Sequence, residues 1–131
     1  MGENQGPRLI SIEDGYARFA PTGFVTHMSF VDRLEKAMVE CQRFGQTRLL
    51  VDVRALEHPP LSGVDRYEMS HATAEIWDRS ILLAMLVRLD QIDPERFGQK
   101  VAENRGLFVE PFTDDAAARE WLTRPRPLKG L

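Results

Sequence analysis

The sequence predicts an α/β fold. An N-terminal β-hairpin leads into a βα-wound, mixed but mainly parallel sheet of about five strands with about four helices, in the order β-β-α-β-α-β-α-β-α. Three observations predict it. Asp14-Gly15 stands between two short apolar runs, which is a hairpin signal. Leu49 to Val53 and Ile81 to Leu89 are nearly continuous apolar runs, as strands covered on both faces of a parallel sheet require. After the hairpin, strand-like and helix-like segments alternate strictly, which implies right-handed crossovers.

Taken in order, Leu9, Ile10 and Ile12 form the first strand, and Tyr16, Arg18 and Phe19 the second, ended by Pro21 and Gly23. A helix follows from about Thr26 to Phe44, with Thr26 or Ser29 as its cap. Val31, Leu34, Met38 and Cys41 recur along it at helical spacing, and Gly45 stops it. Cys41 therefore reads as a small core residue. The strand from Leu49 to Val53 enters a Pro59-Pro60 loop, and a second helix runs from about Gly63 to Arg79. Ile81 to Leu89 is the central strand, and Asp93-Pro94 opens a third helix that closes near Asn104. Leu107 to Phe112 is the last strand, and Asp114-Asp115 opens a final helix carrying Ala117, Trp121 and Leu122. Trp77 and Trp121 are expected to anchor core faces, as are Met28, Phe30, Met69, Met85 and Phe97.

The chain has 131 residues, enough for one domain that buries about two thirds of its unfolded surface without a disulfide or metal. Residues 8–123 are expected to form that domain, after a disordered start at 1–7 and before a tail at 124–131. The net charge of −3 and the lack of a basic block argue against nucleic-acid binding. Cys41 is the single cysteine, so no internal disulfide or cysteine metal site is available. No apolar run reaches the ~20 residues of a membrane span. The N-terminus lacks the apolar core of a signal peptide. A cytoplasmic location is expected, and no cofactor.

The hairpin leading through Pro21-Thr22-Gly23-Phe24-Val25-Thr26 into a capped helix, the strand Leu49-Leu50-Val51-Asp52-Val53, and the tail segments Val101 to Gly106, Phe112-Thr113-Asp114 and Trp121-Leu122 carry a resemblance. Together they resemble STAS domains, the family of the anti-sigma factor antagonists, and within it a bacterial STAS/CRAL-TRIO-like branch. The resemblance spans residues 9–122. It implies sequentially neighbouring strands and a non-enzymatic regulatory module that binds a protein partner. In the antagonists, Asp-Ser-Ser-Gly opens the second helix, and its second serine is phosphorylated by a partner kinase. That serine and glycine fall here on Ser62 and Gly63, while Pro60 and Leu61 replace the two residues before them. CRAL-TRIO lipid-binding domains resemble STAS domains in their winding. The alternative function is thus binding of a small apolar ligand or lipid.

Ser62 also has a role of its own. Ser62-Gly63-Val64-Asp65 fits a capping box, and a phosphate at a helix start would meet exposed N–H groups, with Arg54 and Arg66 able to add charge. Ligands of open parallel sheets gather beyond the carboxyl ends of the strands. Asp52, Arg54, Ser62, Gly63, Arg66 and Asp90 are therefore the candidate rim for a partner or ligand. Asp93 reads as a helix cap. Ser62, His58 and Asp52 are the residue types of a catalytic triad, but no Gly-x-Ser-x-Gly elbow surrounds Ser62, and no catalytic role is assigned. His71 with Glu68 and Glu75 reads as a solvated helix face, not a metal site. A C2 homodimer is the expected oligomer on base rates alone.

Overall fold

The computed structural model describes residues 6–93 and 95–126. The expected disorder at residues 1–5, the tail at 127–131, Pro94 and the side chain of Phe97 lie outside the described residues. The elements are β1 (Ile10–Ile12), β2 (Ala17–Phe19), β3 (Gly23–Phe24), α1 (His27–Arg43), β4 (Arg48–Asp52), β5 (Leu56–Glu57), α2 (Gly63–Ile76), β6 (Leu82–Leu86), a 3-10 turn (Leu89–Gln91), α3 (Phe97–Asn104), β7 (Val109–Phe112) and α4 (Asp115–Thr123).

The main sheet has the order β1-β2-β4-β6-β7. β1 and β2 are antiparallel, joined through Gly15, whose φ of 87 supplies the left-handed turn residue the hairpin needs. Every later pairing is parallel, with Arg18 opposite Leu50, Leu50 opposite Ala84 and Ala84 opposite Glu110. The mixed, mainly parallel sheet of sequential neighbours is the one the sequence predicts.

Successive crossovers step the same way across the sheet, and crossovers of one hand lay their helices on one face. α1, α2 and α3 accordingly share a face, with α2 between the other two. Phe19, Leu49, Val51, Leu83 and Val87 point into it and pack with Phe30, Leu34, Met38 and Cys41 of α1. The alternate strand residues Leu50, Ala84 and Leu86 point the other way, where Tyr16 and α4's Ala118 and Leu122 cover them.

Several boundaries differ from the sequence expectation. The segments after β2 and β4 are not plain loops: β3 and β5 pair in parallel, Gly23 with Leu56 and Phe24 with Glu57. Two-residue strands are too short to leave a periodic signal. α2 ends at Ile76 and not near Arg79, because Trp77 turns extended and buries its ring, donating Nε1–H to the Ile81 carbonyl at 2.9 Å. α3 does not open at Asp93-Pro94. It starts at Phe97 behind Arg96, the one described non-glycine residue at positive φ (55). Asp93 instead accepts the Glu95 N–H at 3.1 Å in a local turn. Met28 is exposed, not core, and Trp121 is half-buried against Phe112 with Arg126 over its ring. No described helix is long and apolar enough to cross a membrane.

Candidate functional site

The carboxyl ends of β2, β4 and β6 form a rim, and the predicted site residues divide over two sides of it. Asp52 ends β4 with the same parity as Leu50, so it faces the α4 side. There Arg54 grips it through Nε at 3.0 Å and Nη2 at 2.9 Å, its own N–H adds a third bond at 3.0 Å, and Arg18 stands at 3.5 Å. Arg18 also donates to both oxygens of Asp115 at 2.9 Å, and Arg119 reaches Asp115 at 2.8 Å. Burial alone would raise the Asp52 and Asp115 carboxyls. The hydrogen bonds and positive charge of their arginines outweigh it and hold both below the usual carboxylate range. This network ties β2, β4 and α4 together with every carboxylate matched.

Ser62, Gly63 and Arg66 lie on the other side, at the start of α2. Ser62 is the N-cap: its Oγ accepts the Asp65 N–H at 3.0 Å, and Asp65 Oδ2 accepts the Ser62 N–H at 3.0 Å. The predicted capping box is present. The backbone hydrogen bond from Ser62 is the main cause holding Asp65 below the usual carboxylate range. α1 starts the same way, with Thr26 and Ser29 exchanging bonds at 2.9 and 3.1 Å.

The two helix starts touch. His27 Nε2 lies 2.8 Å from Glu68 Oε1, and Nδ1 lies 3.8 Å from Asp65 Oδ1. His27, Asp65 and Glu68 can each bring one ligating atom within 4.8 Å of the others. His71, expected on a solvated face with Glu68 and Glu75, is half-buried instead: Glu68 turns to His27, and His71 stacks on Tyr67 with ring centroids 5.7 Å apart. His27 was not singled out from the sequence, because its partners sit 38 and 41 residues away on another helix.

Asp90 stands in the 3-10 turn after β6. Arg88 Nε donates to it at 3.0 Å and holds its carboxyl low. Arg88 Nη1 also donates to the carbonyls of Arg54 and Leu56, at 2.5 and 3.1 Å. Gln91 Nε2 donates to the Val53 carbonyl at 3.1 Å and lies 3.3 Å from His58 Nε2. The β6 end thus clamps the β4–α2 loop. Ser62, His58 and Asp52 form no triad, since each is bonded to other groups.

On the α1–α2 side, between the helix starts and the end of β6, lies a cavity of about 460 Å³. Val25, Phe30, Val53, Leu56 and Leu61 line it, with His27, Arg66, Arg88 and Asp90 at its polar margin. A second cavity of about 200 Å³ continues under α2 and α3, sharing Phe30, Arg66, Met69, Met85, Val87 and Gln91. Met69 and Met85, expected in the core, are the half-buried walls of these spaces.

No protein-family model matches the chain, and no curated protein matches it significantly. Three solved chains match its fold, and two of them are these. One is an uncharacterized protein from the DUF3478 family with a SpoIIAA-like fold, from Shewanella loihica PV-4. It has a TM-score of 0.50 and 21% identity, over 93% of this chain and 98% of that one. The other is an anti-sigma factor antagonist from Mycobacterium paratuberculosis, with a TM-score of 0.51 and 20% identity, over 85% of this chain and 92% of that one. The chain has the SpoIIAA-like, STAS-type fold that its sequence resembles.

Proposed function

We propose that this chain is a non-enzymatic regulatory module that docks a protein partner through the strand-end rim and the first half of α2. The observation that carries the reading is the apolar character of that rim. Phe24 is 61%, Val64 67% and Leu89 79% exposed, with Met28 and Tyr67 also exposed, all at one end of the sheet. Exposed large apolar groups gathered at one end of a fold fit an interaction surface. The shared fold with an anti-sigma factor antagonist supports a regulatory role.

The test is a photo-crosslinking side chain placed at Val64, with Phe108, exposed at the opposite end of β7, as control. A discrete crosslinked partner is expected from the Val64 position only, and Gly63→Asp should remove it. A Cβ at Gly63 meets nothing within 4 Å, so that variant keeps the fold. Equal crosslinking from both positions overturns the reading.

Phosphorylation of Ser62 is a subordinate proposal. The residue is exposed, but its hydroxyl and Asp65 already satisfy the helix start, and a phosphate would stand against the Asp65 carboxylate. A modified Ser62 peptide after incubation with cell extract and ATP supports it, and an unmodified one counts against it.

A second reading, binding of a small apolar ligand, is favoured by the cavity of about 460 Å³ at the rim. That volume falls in the roughly 300–1,000 Å³ range of ligand pockets.

A further inference from the structure

The inward face of α2 departs from the pattern of a core helix. Arg66, Met69, Ser70 and Thr73 stand at i, i+3, i+4 and i+7 and line the slot above Leu83, Met85 and Val87. An arginine at the head of that stripe is unfavourable. Its guanidinium stays charged, and it loses water against an apolar floor. Arg66 is half-buried, and among the described residues its side chain makes no ion pair or hydrogen bond. The other rim cations differ: Arg54 is matched by Asp52, and Arg88 by Asp90. Arg96 also lines the smaller cavity, but it is exposed. Gln99 supplies a second unmatched group in the same wall, since its Oε1 is buried with no donor among the described residues.

The geometry points to an amphipathic monoanion as the occupant: an aliphatic carboxylate whose head pairs with Arg66 and whose tail fills the apolar space between α2 and β6. The inference rests on the ligand reading above and specifies its chemistry. A planar carboxylate fits the guanidinium fork in bidentate fashion. A dianionic phosphate fits less well, because Arg66 is the one half-buried lining cation without an acceptor among the described residues, and Asp90 and Asp93 also line the cavities. The volumes suit a tail of about ten carbons, at the small end of ligand pockets.

Calorimetric titration of the full chain with decanoate, decanol and decyltrimethylammonium, each below its micelle concentration and at neutral pH, tests it. Decanoate is expected to bind roughly 10- to 100-fold more tightly than decanol, the worth of a charge-assisted hydrogen bond in a partly desolvated site. The cationic amphiphile should bind more weakly than either. Arg66→Met should erase the preference for decanoate while keeping decanol affinity, which also shows that the variant is folded. Arg66→Lys should restore part of the preference. Equal binding of decanoate and decanol to the unaltered chain overturns the inference and leaves the ligand reading standing. If none of the three binds, the ligand reading itself fails, and the inference with it.

Discussion

α1 and α2 lie side by side on the same face of the sheet and open with the same kind of capping box, yet they bury different things. α1 sinks Phe30, Val31, Leu34, Ala37, Met38 and Cys41 into the core. α2 is nearly as long but fully buries only Thr73 and Ala74, both in its second half. Its first half covers cavities and turns Val64 and Tyr67 outward. One helix is packed for stability. The other spends its inward face on a space and its outward face on solvent, the local mismatch expected where a fold keeps a binding surface.

The largest effect should come from breaking α1. Met38→Ala is expected to cost about 2–5 kcal/mol, the range for truncating a buried methionine, since Met38 borders neither cavity. Met69→Ala in α2 should cost less than that range, because the methionine is half-buried, already borders empty space and leaves little new cavity. Urea unfolding of both variants measures the difference. Equal costs would mean that α2 is packed as tightly as α1, and the contrast would collapse.

The caps come next. Ser62→Ala and Thr26→Ala should each cost about 1 kcal/mol, since each removes one acceptor for an orphan N–H. The consequences should diverge locally. With no fully buried side chain in its first half, α2 should open from Gly63 to Ser70 in Ser62→Ala, whereas α1 stays pinned by Phe30 and Leu34 in Thr26→Ala. Amide hydrogen exchange reads this directly. Faster exchange confined to residues 63–70 supports the contrast, and uniform exchange through both helices breaks it.

How much of this was legible in the sequence follows from the same contrast. α1 was readable because its apolar residues recur at helical spacing and Thr26 announces its start. The sheet was readable because Leu49 to Val53 and the central strand are apolar almost without interruption. α2 was placed from its cap, but its inward Arg66 and Ser70 gave no stripe to read, and its partner His27 sits on another helix. β3 and β5 were illegible, being held by a ladder of two residue pairs. Asp52, Arg54, Ser62 and Asp90 lie at or beyond the strand ends, where the element order alone puts them. Their division between two sides of the sheet depends on strand parity and on Asp115, which the sequence marks only as part of a helix start.

The smallest effects concern titration. Asp65 is held below its ordinary range by the Ser62 backbone N–H, so its folded pKa lies under its unfolded value of ~3.9. The stability it adds is therefore present above the unfolded value and is lost as pH falls through the folded one. α1's box uses Ser29, which does not titrate. As pH falls below the unfolded value of ~3.9, the amide resonance of Ser62 should shift with Asp65 protonation, while that of Thr26 should not follow it. Asp65→Asn should abolish the Ser62 shift. Parallel shifts at both caps would show that the whole helical face loosens in acid as one body. The α1–α2 contrast would then describe packing alone and not independent local stability.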